Sequence, residues 1–457
     1  MAAPRYFNPV IESLPPQDLR RFQWSRLSAQ LAHVWQTNRF YRRLFAAAGV
    51  TPDAIRSLEE FQERIPIITK RDLLKDQEEN PPYGHRLGVP LEQVVQVVLT
   101  SGTSGIGQEV HPQTVADLEM GALMLTWGCC WIGFRPGDVV INTFPVATSA
   151  GGLWSYRSFS KQLVNLFALG TLDTRQKLEY AMRFRATGLF CTPAYLMRLE
   201  TVAGEMGIDL RRDLALGRIL VAGEPYALAW IRERQERWGA PIYEYYGSVQ
   251  KAIAWCCERG AAPHGRRGLL HHLPQVTMVE TLDPETRRPV RPGDEGEVVI
   301  THLRAEAAPL IRFATGDRAR LLSHRECPCG RAFDGYACGS VSRYDDMLKI
   351  RGTNVWPQAT DEVFFAFPEV AEYQGRVHIA ADGREEATVA LEFKPGIPAE
   401  GKARILRAAA QAVQERTGVR ITVEEAPGAL PKGIDDRRKA RRWINLKGSG
   451  EGGSGNG

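Results

Sequence analysis

Val94-Val95-Gln96-Val97-Val98-Leu99-Thr100-Ser101-Gly102-Thr103-Ser104-Gly105-Ile106-Gly107 is a β-branched run that empties into a turn of glycines and hydroxyl residues. A helical pattern begins near Thr114. The glycines let such a loop curl until its backbone N–H groups converge on an anion, and the hydroxyls add donors. The loop suits the phosphates of a nucleotide. It is not a Walker loop, because no Gly-Lys-Ser/Thr follows. A glycine-rich surface turn would read the same in isolation, so the decision rests on the rest of the chain.

Downstream, Asp138–Thr143, Gly188–Cys191 and Arg218–Val221 read as strands, and Leu178–Arg185 and Leu228–Trp238 as helices between them. That alternation predicts a mainly parallel α/β sheet. Upstream, Trp24, Leu27, Leu31 and Val34 recur at helical spacing, and Asp53 and Ser57 offer caps for short helices. After about residue 268 the pattern changes. Val276–Glu280 and Gly296–Thr301, joined by the Pro/Gly-rich segment Asp283–Gly293, predict a small antiparallel β subdomain over about 268–340. A boundary falls near Arg343–Asp346. Strands at Val377–Ile379, Thr388–Phe393 and Arg420–Glu425 and a helix at Gly401–Arg416 follow it. The fold class is therefore α/β. A large N-terminal domain, 1–344, carries mainly parallel sheet plus the β subdomain. A small mobile α+β domain, 345–447, follows, and a Gly/Ser-rich tail, 448–457, reads as flexible linker.

The 457 residues exceed one typical core, and 44% apolar with 24% charged residues is an ordinary globular composition. No apolar stretch approaches the roughly 20 residues a bilayer span needs, and Met1–Val10 lacks a secretory pattern, so no membrane is expected and the cytoplasm is the expected location. A net charge of +5 is mild for this length and gives no argument for nucleic acid, so none is expected as a partner. Eight cysteines in such a chain would stay reduced, and close pairs then suggest a metal. Cys327-Pro328-Cys329-Gly330 is a tight pair on a turn, with Cys256-Cys257, His264, His271 and His272 upstream. Cys257, Cys327, Cys329 and one of His264 or His271 would make a closed, structural zinc site. Cys129, Cys130 and Cys191 lie in apolar segments and read as core.

The motifs together resemble the phenylacetate–CoA ligase family of the adenylate-forming superfamily. The resemblance runs from the N-terminal helices to about Lys447. It is carried by Pro66 with Thr69-Lys70-Arg71-Asp72-Leu73, the loop Thr100–Gly105, Gly223-Glu224-Pro225, Tyr246-Gly247-Ser248, Leu310-Ile311-Arg312-Phe313 with Thr315-Gly316-Asp317, and Arg343-Tyr344-Asp345-Asp346. It implies that Thr100, Ser101, Gly102, Thr103, Ser104 and Gly105 hold the phosphates of ATP. Gly223, Glu224 and Pro225 would lie along adenine, with Tyr245, Tyr246, Gly247 and Ser248 beside the nucleotide. Asp317 would bind the ribose, and Arg343 the ribose or phosphate. Asp345 takes the hinge position between two poses of the small domain. Lys439, in Lys439-Ala440-Arg441-Arg442, would reach the substrate carboxylate and α-phosphate, with Lys432 its rival. Two departures stand out. Gln108 and Glu109 follow the loop where many relatives have a lysine, so Glu109 is expected to turn away or bind nothing. Gln250 stands where the family has the magnesium-binding acid, and an amide carbonyl brings no charge to Mg2+.

Phe144, Pro145, Trp154, Tyr156 and Tyr245 fall near segments that would line an acyl pocket, and aromatic walls suit a flat aryl acid. The same residues also read as core. The resemblance implies activation of a phenylacetate- or benzoate-type acid to acyl-AMP, thioester formation with coenzyme A, and a homodimer. Transfer to a carrier-protein thiol or an amine is the alternative, and a non-catalytic nucleotide-binding protein is a third reading.

Overall fold

The computed structural model describes residues 6–100, 107–146, 150–214, 216–248, 252–351, 353–379, 385–428, 430 and 442–446. Ser101, Gly102, Thr103, Ser104, Gly105, Gln250, Lys432 and Lys439 lie outside them, as does the side chain of Asp345.

The chain opens with helices. In Pro16–Thr37 the fully buried residues include Leu27, Leu31 and Val34, while Trp24 lies at the edge of the stripe. Ser57 caps helix Leu58–Arg64 by accepting from the Glu60 N–H at 3.2 Å. Asp53 caps nothing; it sits inside the turn Pro52–Ala54, which Thr51 precedes. β1 (Gln96–Leu99) and β2 (Val110–Gln113) form a separate antiparallel hairpin around the glycine-rich loop. Thr114 then caps helix Val115–Trp131 with a reciprocal bond to Asp117.

The parallel core follows: β3 (Val139–Asn142), β4 (Asn165–Ala168), β5 (Gly188–Cys191), β6 (Arg218–Ala222) and β7 (Ile242–Gly247). Helices Ala150–Lys161, Thr174–Arg183, Pro193–Glu205 and Leu228–Trp238 make the crossovers. β8 (Ala252–Cys256), β9 (Leu269–His272), β10 (Thr277–Leu282), β11 (Glu295–His302), β12 (Phe313–Leu322), β13 (Gly335–Ala337) and β14 (Ser342–Arg343) continue antiparallel. The strand order is β10-β11-β12-β13-β9-β8-β7-β6-β5-β3-β4, with β14 on β12. The antiparallel strands read from the sequence as a subdomain are thus one continuous sheet with the parallel ones.

β15 (Leu348–Ile350) pairs with β16 (Thr353–Val355), and helix Pro357–Phe364 follows. β17 (Val370–Ile379), β18 (Glu385–Phe393), β19 (Thr422–Glu425) and β20 (Trp443–Asn445) form a sheet of order β19-β18-β17-β20, packed by helix Ala399–Thr417. Leu348, Phe364, Tyr373, Leu391 and Val413 belong to a core separate from that of the large sheet.

The N-terminal arm is tied down by Glu12, which is fully buried. It accepts from the backbone N–H groups of Phe7 and Asn8 and from the Trp131 indole, each at 2.8 Å. It also pairs with Arg331 at 3.1 Å, whose guanidinium lies over the Trp131 and Tyr6 rings. No helix among the described residues is long and apolar enough to cross a membrane.

Candidate nucleotide and metal sites

Parallel strands aim their carboxyl ends at one edge of a sheet, and ligands of open α/β sheets collect there. Phe144 follows β3, Gly223-Glu224-Pro225 follows β6, and Ser248 follows β7. β3 lies between β4 and β5, so the chain order reverses at β3.

On β7 the side chains alternate. Tyr246 faces β12, where its hydroxyl donates to Asp317 Oδ2 at 2.7 Å. Burial pushes that hydroxyl well above its ordinary pKa, and the Asp317 carboxylate adds to the shift, so it stays a donor. Asp317 Oδ1 lies 3.4 Å from Arg343 Nη1, because β14 pairs Arg343 opposite Asp317. Gly316, at φ 73°, turns the chain into Asp317 and leaves room for the Arg343 guanidinium 3.3 Å from where a Cβ would stand. Tyr246, Asp317 and Arg343 are therefore brought together. Asp317 is mostly buried and Arg343 is the part open to a ligand, with side-chain exposures of 10% and 40%.

Tyr245 points the other way and stacks on Trp255, ring centroids 4.8 Å apart. Its hydroxyl lies against Gly247, where any Cβ would collide with it. The Glu224 carboxylate turns toward the start of helix Pro193–Glu205, accepting from the Ala194 N–H at 2.9 Å. That leaves the backbone of residues 223–225 as the part able to lie along a base.

Thr100 closes the base of the glycine-rich loop. Its N–H donates to the Glu109 carbonyl at 3.1 Å, and its Oγ1 accepts from the Glu109 N–H at 2.9 Å. Of the two expectations for Glu109, binding nothing does not hold: its carboxylate is buried, 3.8 Å from Lys70 Nζ and 3.9 Å from His111 Nε2. Burial raises its pKa, and Lys70 and Arg86 pull it back.

The expected acyl-pocket aromatics divide. Phe144 packs on Phe190 at 4.5 Å, and Trp154 is buried against Gly121. Tyr156 is 51% exposed, which excludes the core reading for it. Two residues along a helix is about 200°, so an inward Trp154 sends Tyr156 outward.

Cys257, His271, Cys327 and Cys329 are all buried, and their ligand atoms lie within 4.8 Å of one another. Cys257 Sγ is 3.6 Å from Cys327 Sγ, and Cys329 Sγ is 3.3 Å from His271 Nε2. A tetrahedral zinc with ordinary bond lengths gives edges of about 3.5–3.8 Å, so the donor set fits. The Phe333 carbonyl, 2.7 Å from His271 Nδ1, holds the ring with Nε2 inward. His264, on the turn Pro263–Gly265, is outside the cluster. Pairing of β9 with β13 decides between the two histidines, since it sets His271 opposite Gly335, near the Cys327–Cys329 turn. Cys129 and Cys191 are buried as expected, and Cys130 is partly exposed.

Sequence reading missed the cluster behind β7. Glu244, fully enclosed, accepts from the Tyr226 hydroxyl and, at 2.7 Å, from the Gly339 N–H. Burial raises its pKa to about 7. The available signal was its place two residues before Tyr246, on the same strand face.

The family of AMP-binding enzymes matches residues 29–303. Phenylacetate-coenzyme A ligase from Thermus thermophilus is 29% identical over 96% of this chain and 99% of its own length. The Escherichia coli enzyme of the same name is 28% identical over 79% of this chain and 80% of its own. A crystal structure of 2-hydroxyisobutyryl-CoA ligase in the postadenylation state, with its acyl-AMP, superposes with a TM-score of 0.86 at 24% identity, over 97% of this chain and 93% of that one. The same ligase in the thioesterification state gives 0.71 at equal coverage. With this site at the strand ends and a family match across more than half its length, the chain belongs to the AMP-binding enzymes.

Proposed function

We propose that this protein activates an aromatic carboxylic acid with ATP and passes the acyl group to coenzyme A. The carboxylate attacks the α-phosphorus and pyrophosphate leaves; the thiol then attacks the acyl carbon and AMP leaves. The observation that carries the reading is the cluster of Tyr246, Asp317 and Arg343 beside the carboxyl end of β7, where a carboxylate oriented by two neighbours and a partly exposed guanidinium suit a ribose and its phosphate. The full-length likeness to phenylacetate-coenzyme A ligases supports the acid and the acceptor.

In this reading the loop 100–105 grips the phosphates and Lys439 stabilises charge on the reacting carboxylate and α-phosphate. Gln250 offers a neutral oxygen to Mg2+, Asp345 is the hinge, and Phe144 and Tyr245 face the aryl ring. Cys257, His271, Cys327 and Cys329 would hold a structural Zn2+. Four protein ligands leave no open position, so that metal supplies rigidity rather than chemistry. The family resemblance extends the reading to a homodimer, and the cytoplasm is its proposed location.

ATP–pyrophosphate exchange with phenylacetate, benzoate and their hydroxy and amino derivatives tests it. Exchange is expected with at least one acid, and AMP release is expected to require coenzyme A. Lys439→Ala should lose adenylate formation by about 100-fold or more, with acyl transfer from preformed adenylate less affected. No exchange with any aryl acid overturns the proposal; AMP release indifferent to coenzyme A moves the acceptor to a carrier thiol or an amine.

A further inference from the structure

We propose that Glu244 and Arg267 are positioning residues that couple the adenine-side segment to the pose of the C-terminal lobe. The proposal rests on the function proposed above.

Three segments meet at Glu244. Its Oε2 accepts from the Tyr226 hydroxyl, immediately after Gly223-Glu224-Pro225, and from the Gly339 N–H, four residues before Arg343. Glu244 itself precedes Tyr245 and Tyr246 on β7. One buried carboxylate therefore fixes the turn after β6, the aromatic strand and the approach to the ribose arginine.

Arg267 spans the same place from the other side. Its guanidinium donates to the carbonyls of Tyr226, at 3.1 Å, and Cys338, and pairs with Glu362. Glu362 belongs to helix Pro357–Phe364 of the C-terminal lobe. Gln358, one turn earlier on that helix, donates Nε2 to the Gly339 carbonyl at 2.7 Å. Residues four apart share a helix face, so a swing of the lobe removes both partners at once. A planar fork that holds two fixed carbonyls is preset to receive a carboxylate, and any shift of Tyr226 changes that fit. Reciprocity follows: whatever a nucleotide against residues 223–226 does to the lobe, the lobe does to nucleotide affinity. A second contact, Lys394 Nζ to Glu233 Oε1 at 2.6 Å, ties the lobe to helix Leu228–Trp238 without engaging Arg267 or Glu244 and is the natural control.

The pose held this way scores higher against the postadenylation state of the related ligase than against its thioesterification state. Contacts that stabilise it should favour the half-reaction preceding acyl transfer.

The test uses the full chain with Gln358→Ala/Glu362→Ala, changes confined to the lobe's helix. Small-angle scattering reads the pose with and without ATP, independently of activity. The two half-reactions are then measured separately. The double variant is expected to shift the scattering curve in the absence of ATP and to raise the ATP KM for pyrophosphate exchange about 3- to 10-fold. Transfer from preformed acyl-AMP should stay unchanged or rise. Glu244→Gln, whose amide oxygen still accepts, should stay close to wild type, whereas Glu244→Ala should raise the ATP KM as the double variant does. Lys394→Ala, which leaves the Arg267–Glu362 and Gln358–Gly339 contacts in place, should leave both the scattering curve and the ATP KM unchanged. An ATP KM raised as far in Lys394→Ala as in the double variant, scattering and ATP KM unchanged in the double variant, or equal loss of both half-reactions, would overturn the coupling. If wild type shows no exchange, the proposed function fails, while an ATP-dependent scattering difference abolished in the double variant still upholds the coupling.

Discussion

Tyr246 donates to an ionised acceptor in a buried setting, which is the stronger class of hydrogen bond. Tyr246→Phe removes the hydroxyl and leaves Asp317 to Arg343 alone. A bond to a charged group is worth about 1.5–3 kcal/mol, so kcat/KM for ATP should fall roughly 10- to 100-fold. Steady-state kinetics at saturating acid checks this, and circular dichroism should show an unchanged fold. Asp317, Arg343 and Tyr246 were legible in the sequence because each sits in a short motif of fixed order. Glu244 and Arg267 were not, because their partners lie far along the chain and no local pattern announces a fork holding two carbonyls. Whether Tyr156 is core was not legible for a different reason: an aromatic residue near a pocket segment carries no information about its helix face until a neighbour's burial is known.

Helix Val115–Trp131 is buried along most of its length, and a helix covered on all sides has no apolar stripe, so spacing alone could not show that burial. It approaches β8 through Gly128, whose missing side chain accommodates the Trp255 ring that stacks on Tyr245. Helix propensity alone favours Gly128→Ala by about 1 kcal/mol. Packing reverses the sign, because the new methyl would overlap the Trp255 ring, and overpacking of this kind costs about 1–3 kcal/mol or more. The variant should therefore melt at a lower temperature, as differential scanning calorimetry would show. Most of the strands and helices around this element were legible as alternating runs. That β8 to β14 extend the parallel sheet was not, because pairings such as Gly335 with His271 join distant parts of the chain.

At the scale of the molecule, the cluster Cys257, His271, Cys327 and Cys329 joins the end of β8, β9 and the turn after β12. If zinc occupies it, metal analysis of the native protein should return about one zinc per chain. Stripping the metal should cost at least about 2–3 kcal/mol of unfolding free energy, because binding to the folded state alone is stabilising by mass action. Cys327→Ser should reproduce both losses. The Cys pair on its turn was legible as a metal signal; the choice of histidine was not, since it depends on strand pairing. The buried Glu12–Arg331 pair connects this turn to residues 6–12, which places the short helix Pro9–Glu12 among the supports of the knuckle. Removing the Glu12 carboxylate would thus strip Arg331 of one of its two acidic partners and loosen the cysteine turn from a helix more than three hundred positions away in the chain.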